Sequence, residues 1–402
     1  MEYIFIEGLG KSTNNIIYIS PKSELSKDKL VDKLNELGKL SNDEKIKINL
    51  DKITSPELKI FIIDMLTTQS YNYKNPENVK NIAMPGNSVI GNVINECRLI
   101  IDSPANIMHA KAIINYMKKN TPKNITITIL NEKQLKKLNM NLLVGMNSGS
   151  KYPASMAILT YKKTNVSPIV LVGKGVIFDS GGLNIKNSDF SNMKSDKTGA
   201  IYVWGLIKTL SLNNINGHFV GILPFIENMP SSKALHPGDV LKGCSGKTVE
   251  VTNTDAEGRI ILADAMCWAN KHIENPRLTI DIATLTGMAV AIFGSLGSAI
   301  MCNKKGEKIT KQLIEIGDNN GEYFWQLPLH HRYLKYLESD VADYKNYNAD
   351  ISADTIMAGM FLAEFAPKNT PWLHLDIAGV AYREQSTGEP MLSIYQLLTN
   401  LS

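Results

Sequence analysis

Cysteine is scarce in this chain, and so is histidine. The four cysteines, Cys97, Cys244, Cys267 and Cys302, are widely spaced and form no CxxC pair. That excludes a zinc knuckle and gives no disulfide framework, so unpaired thiols in a reducing, cytoplasmic compartment are expected. The seven histidines form no HExxH pair, which argues against zinc held by histidine. Charge of one sign is also missing: the net charge is +4 over 402 residues. It makes no case for a nucleic acid or a membrane surface as partner. The most apolar stretch, around Leu278 to Ile300, is interrupted by Asp281 and several glycines. It reads as core strand and turn rather than as a membrane span. The opening MEYIFIEGLG has neither a basic n-region nor a long apolar h-region, so no secretory signal is expected. No repeat of fixed period and no low-complexity tract is apparent.

What is present is ordinary for a globular α/β protein. Hydrophobic residues make up 44% and charged residues 20%, and the length suits two or three domains with ample core. Residues 1–85 alternate strand-like runs (Tyr3 to Ile6, Asn15 to Ile19, Lys45 to Leu50) with helix-like ones (Ser23 to Leu40, Pro56 to Thr68). This predicts a small N-terminal α/β domain. Pro85-Gly86-Asn87 punctuates the chain before an amphipathic run, Val89 to Ile101, so residues 86–101 are expected to form a connecting helix. Residues 102–402 then form the larger, catalytic domain. Its predicted strands are Ile125 to Leu130, Met156 to Tyr161, Ile169 to Val172, His218 to Pro224, Val249 to Thr252 and Leu278 to Ala283. Helical runs between them imply a mainly parallel, mixed sheet covered by helices.

Two stretches carry chemistry. The first, Asn253-Thr254-Asp255-Ala256-Glu257-Gly258-Arg259, follows a strand-like alternation and opens into a helix-like run. That is the usual ligand-binding edge of an α/β sheet. If the segment is extended, Asp255 and Glu257 project to the same side. Two carboxylates with one aim repel unless a cation lies between them. The blander reading is a helix N-terminus whose acids favour the dipole. The second stretch runs from the apolar Pro168–Val172 into Gly173-Lys174-Gly175 and on to Asp179-Ser180-Gly181-Gly182. A lysine within such a strand needs a partner or loses its charge. The flanking glycines suggest a bend that brings Lys174 and Asp179 together. Lys186 and Asp196 follow. A buried Lys–Asp pair would explain Lys174 and Asp179 but leave Asp255 and Glu257 unneutralised; a two-metal site accounts for all of them.

These stretches resemble the cytosol (leucyl) aminopeptidase family. The heptapeptide Asn253–Arg259 matches the family's signature, and Val172–Gly182 its lysine–aspartate segment. Further matches in family order are LPFIENMPSSKALHPG (223–238), DIATLTG (281–287) and WLHLDIAG (372–379), with weaker ones at CRLIIDSPAN (97–106) and SDVADYK (339–345). Together they span about residues 95–400, and so ordered a set is far more specific than one short motif.

The resemblance implies an enzyme releasing N-terminal, leucine-like residues from peptides that have a free amino terminus. It implies two divalent metal ions (Zn²⁺, Mn²⁺ or Co²⁺), one held by Lys174, Asp179, Asp196 and Glu257, the other by Asp179, Asp255 and Glu257. Lys174 would ligate as a neutral amine, its pKa depressed by burial and by the dications. A water or hydroxide bridging the metals would attack the peptide carbonyl, with Lys186 stabilising the oxyanion and Arg259 holding a bicarbonate as general base. Met193, Asn253, Thr284, Leu285, Gly287 and Ala378 match positions lining the side-chain pocket, though residues of these types are also common as plain core. The resemblance further implies a homohexamer. A two-metal hydrolase of another ester or amide, and a non-catalytic binding protein, are the alternatives. The chain departs from the family after Asp196, where it reads Lys197-Thr198-Gly199-Ala200, and in the loop expected to be glycine-rich, which reads Tyr347-Asn348-Ala349-Asp350-Ile351-Ser352-Ala353-Asp354.

Overall fold

The computed structural model describes residues 88–188 and 190–402, and before them residues 3–7, 16–22, 31, 32, 34, 46–50, 55–69, 71, 73, 82 and 83. The N-terminal part forms a sheet in the order β1 (Tyr3–Glu7), β2 (Ile16–Lys22), β3 (Ile46–Asn49), β4 (Ile82–Ala83). The first pair is antiparallel and the other two are parallel. A helix, Pro56–Gln69, runs where one was expected. The helix expected over Ser23 to Leu40 lies mostly outside the described residues, of which Val31, Asp32 and Leu34 are helical. The turn at Pro85-Gly86-Asn87 lies outside them altogether.

The helix Val89–Asp102 begins at Ser88, whose hydroxyl accepts the Gly91 N–H at 2.7 Å, a side-chain cap for an otherwise unpaired donor. Its apolar face (Val93, Ile94, Cys97, Ile100, Ile101) is buried and packs on the helix Thr198–Leu212. Gly205 makes the approach possible, because a Cβ there would collide with the Cys97 sulfur. Arg98 donates to the Ser386 carbonyl at 2.7 Å, and Asp102 accepts from the Ser386 N–H and hydroxyl. The helix is thereby fastened to the C-terminal segment.

The main sheet has nine strands: β5 (Ile125–Asn131), β6 (Ser155–Lys162), β7 (Ile169–Gly173), β8 (Val176–Asp179), β9 (His218–Asn228), β12 (Leu278–Ala283), β13 (Gly297–Cys302), β14 (Tyr323–Gln326) and β16 (Trp372–Asp376), ordered β14-β13-β16-β12-β7-β9-β6-β5 with β8 beside β9. Its centre, β16-β12-β7-β9, is parallel, and β13 and β6 join antiparallel. The sheet is thus mixed with a parallel heart, as the sequence implied. Both faces are covered. Ile169 and Leu171 pack towards Thr198–Leu212, Val170 and Val172 towards the helices Glu257–His272 and Asp354–Ala363, which is why β7 is a continuous apolar run.

Two expectations need correction. The strand at 249–252 is not in the main sheet. It is β11 (Thr248–Val251), in a small separate sheet between β10 (Asp239–Lys242) and β15 (Tyr344–Lys345). Its Val249 and Val251 are buried while Thr248 and Glu250 are half-buried, so the alternation marks a strand wetted on one face. The cysteines are not all unpaired either: Cys244 and Cys267 form a disulfide, while Cys97 and Cys302 are free and buried. The pair links the loop after β10 to the helix Glu257–His272, across 23 residues of sequence. Among the described residues no helix is long and apolar enough to cross a membrane.

Candidate metal centre

The carboxyl ends of β7, β8, β12 and β16 open on one cavity of about 790 Å³, the place where a parallel sheet ordinarily receives its ligand. Lys174 directly follows β7. Its N–H donates to the Ile282 carbonyl and its carbonyl accepts the Ala200 N–H, so its backbone is gripped on both sides. The ammonium, 3% exposed, lies 2.8 Å from Asp196 Oδ1 and 2.8 Å from Glu257 Oε1, and donates to the Thr284 carbonyl at 2.8 Å. Asp196 sits on the short 3-10 helix Ser191–Lys197, and Glu257 is the first residue of its helix.

Asp179, the last residue of β8, is brought to the same cavity as Lys174, as expected, but its ion pair is with another lysine. It lies 2.7 Å from Lys186 Nζ, which also contacts Asp255. Two lysines therefore each hold two carboxylates. Nor is the segment from Asp255 to Glu257 extended. The Asn253 side chain accepts the Asp255 N–H at 2.8 Å, turning the backbone, and the helix begins at Glu257. Asp255 and Glu257 thus reach different lysines while facing the same cavity.

Four buried or half-buried carboxylates stand against two ammonium groups. Burial, reinforced by the neighbouring acids, pushes the carboxyl pKa values of Asp179, Asp196 and Asp255 up, while the lysines oppose it. Burial pushes the Lys174 ammonium down, but Asp196, Glu257 and Asp179 outweigh it and hold its pKa above the ordinary lysine value. The depression expected for Lys174 is therefore not produced by its protein neighbours alone. Lys186 is held up in the same way.

The donor set fits a divalent cation. Carboxylate oxygens of Asp179, Asp196 and Glu257 lie within 4.8 Å of one another. Asp196 Oδ2 and Glu257 Oε2 are buried without a hydrogen-bond partner, a costly state that a cation relieves. Oxygen donors with one amine suit Zn²⁺, Mn²⁺ or Co²⁺ alike.

The residues that orient these ligands were not singled out in the sequence. Asn228 Nδ2 donates to Asp179 Oδ1 at 2.8 Å and to the Thr254 carbonyl at 2.9 Å. Thr254 bonds back to the Gly181 carbonyl, across a turn in which Gly181 and Gly182 have φ of 91° and 65°, values that favour glycine. Asn346, fully buried, accepts the Thr252 N–H at 2.9 Å and donates to the Asn253 and Ala256 carbonyls at 2.7 and 3.2 Å. Asp376 holds the Leu285 and Thr286 N–H groups, fixing the loop that presents Thr284 to Lys174. Asn228 lies inside a family-like stretch, whereas Asn346 comes one residue after one.

Met193, Asn253, Thr284, Leu285, Gly287 and Ala378 all line the same cavity as the charged groups. Arg259 lines it too, with its guanidinium on Asp354 and on the Asn346 carbonyl.

Residues 95–394 match the catalytic domain of the cytosol aminopeptidase family. A probable cytosol aminopeptidase of Blochmanniella floridana is 37% identical over 88% of this chain and 71% of its own length. One of Phytoplasma mali is 38% identical over 71% of this chain and 58% of its own; one of Hamiltonella defensa is 39% identical over 76% and 62%. Those last two relatives are matched over less than two thirds of their length. Among solved structures, the bottromycin maturation enzyme BotP superposes with a TM-score of 0.84 at 27% identity, covering 94% of this chain and 88% of that one. BotP in complex with Mn gives 0.86. On these grounds the chain belongs to the cytosol aminopeptidase family.

Proposed function

We propose that this chain is a metal-dependent aminopeptidase that removes N-terminal, leucine-like residues from peptides with two divalent cations. The observation that carries the reading is the buried cluster of Asp179, Asp196 and Glu257 beside Lys174, with two carboxylate oxygens left unpartnered. The names of the relatives and the Mn in one BotP structure point the same way. Lys174, Asp179, Asp196 and Glu257 would hold one cation; Asp179, Asp255 and Glu257 the other. Such cations activate water and polarise a carbonyl.

The chain's own groups supply the rest. Lys186 stands at the cavity wall with its side chain 18% exposed, and its raised pKa keeps it charged. It is the cation available to an oxyanion developing on the scissile carbonyl. Leu285, Met193 and Ala378 offer apolar surface to a leucine-like side chain, and Thr284 and Asn253 frame it. A cation held by these carboxylates would also bind the substrate's terminal amine in its neutral form, which would restrict cleavage to the first residue.

Exposed apolar side chains near the cavity, Val290, Ile292, Leu296 and Trp325 at 40–67% exposure, support burial of this face in an oligomer, proposed as a homohexamer; light scattering reads its mass. The proposed compartment is the cytoplasm, as the relatives' names suggest. The reading is tested by hydrolysis of leucine amide and N-acetyl-leucine amide by apo and metal-loaded protein. Cleavage of the first alone, with metal alone, is expected. Full activity without metal, or equal cleavage of the acetylated compound, overturns it.

A further inference from the structure

Arg259 is 2% exposed, and its three nitrogens have fixed fates. Nη1 donates to the Asn346 carbonyl at 3.0 Å, Nη2 to Asp354 Oδ1 at 2.7 Å, and Nε is buried without a hydrogen-bond partner. A guanidinium grips a planar oxyanion such as bicarbonate through two parallel N–H groups. Here two of the five N–H donors are taken, one of them by a carboxylate that already neutralises the guanidinium, so a bicarbonate would have to sit beside Asp354 as a like charge and these residues do not fit one. The anion already on Arg259 belongs to the chain. Asp354 is the first residue of the helix Asp354–Ala363, where a carboxylate is favoured by the helix dipole. Its neighbour Thr355 is hydrogen-bonded to Thr286 at 2.7 Å, which pins the helix start to the loop carrying Thr284 and Leu285. Asp354 lines the same cavity as Lys186, Asp255 and Glu257. It also closes the loop 347–354, in which the chain departs from the glycine-rich family pattern.

We infer that Asp354 replaces bicarbonate at Arg259 as the proton-accepting carboxylate, so that this enzyme works without bicarbonate. The inference rests on the aminopeptidase reading. As water adds to the peptide carbonyl, an O–H bond breaks and its proton passes to Asp354. As the C–N bond breaks, the proton goes on to the leaving amine, so the carboxylate is regenerated and no co-reactant is consumed.

The test uses the metal-loaded full chain in bicarbonate-free buffer, with and without added bicarbonate. The native enzyme should change by less than about 2-fold on addition, while Asp354→Ala should slow by about 10²-fold, the usual scale for a lost general base, and recover with bicarbonate. Asp354→Asn keeps the position filled, so it should be slow and stay slow. A second readout does not depend on turnover: ¹³C-bicarbonate line broadening should report binding to Asp354→Ala and none to the native protein. The inference is overturned if bicarbonate accelerates the native enzyme severalfold, if Asp354→Asn keeps the native rate, or if folded Asp354→Ala neither binds bicarbonate nor is rescued by it. A native protein that cleaves no peptide under any condition would refute the aminopeptidase reading instead, and the binding measurement would still decide which anion Arg259 holds.

Discussion

Replacing Asn346 with alanine should loosen the metal site without touching a ligand. Asn346 is fully buried, and its side chain satisfies four backbone groups of the turn before Glu257. It accepts the Thr252 and Asn253 N–H groups at 2.9 and 3.3 Å and donates to the Asn253 and Ala256 carbonyls at 2.7 and 3.2 Å. In Asn346→Ala those groups lose their partners in a place where water enters poorly. At about 1–1.5 kcal/mol for each bond, the loss is about 4–6 kcal/mol of stability. The turn carries Asp255 and leads into Glu257, so metal affinity should fall by about 10–100-fold, the usual consequence of removing a group that orients a ligand. Asn346→Asp makes a sharp comparison: it keeps the acceptor for Thr252 but cannot donate to the two carbonyls, and it adds a buried charge. It should be no better than alanine. Denaturant unfolding of the apo protein and calorimetric titration of Mn²⁺ measure the two effects separately. If Asn346→Ala unfolds at the native midpoint and binds metal with native affinity, Asn346 does not hold the turn and the reasoning fails.

Two further substitutions separate ligation from charge stabilisation. Glu257→Ala should lower metal occupancy at both sites and abolish turnover, whereas Lys186→Ala should keep its metals and lose about 10²–10³-fold in kcat, the cost of one oxyanion donor. Metal analysis of both variants decides it, and loss of metal in Lys186→Ala would sink the assignment. A pH prediction follows from Glu322, whose pKa burial pushes up to about 8 while its carboxylate accepts the Ser393 N–H at 2.7 Å. The folded state keeps this proton where the unfolded chain has lost it, so Glu322's contribution is present at low pH and fades as pH rises towards 8. Relative to Glu322→Gln, the native protein should lose up to about 3–4 kcal/mol between about pH 5 and pH 8. Parallel pH dependences of unfolding for the two proteins would contradict it.

The charged residues of the candidate metal site could be picked out in the sequence because charged side chains inside apolar runs are rare and costly, and so conspicuous. Lys174 stands out against Ile169–Val172, and Asp255 and Glu257 against the buried helix that follows them. The parallel heart of the sheet was legible for the same reason, since a strand covered on both faces is apolar throughout. The strand at 249–251 misled because position before a helix was weighed over its alternation, which already marked a half-exposed strand. The pairing of Asp255 and Glu257 misled because an i, i+2 rule holds only in extended chain, and Asn253 bends it.

What could not be read are side chains whose task is to satisfy something distant. Lys197 looked like an unexplained departure beside Asp196. Folding makes it a fully buried amine donating to the Ile101, Ser103 and Lys194 carbonyls, where it ties the Asp196 helix to the end of Val89–Asp102. Burial lowers its pKa to about 7, as expected for an ammonium surrounded by carbonyls rather than carboxylates. Cys244 and Cys267 gain their partnership only when the β10 loop packs on a helix. Asp354 and Arg259 are ordinary charged residues until folding brings the two, 95 positions apart in sequence, onto each other. A motif records which groups meet the metal; it is silent on which groups meet one another, and Asp354 lies in the loop where the motif stops.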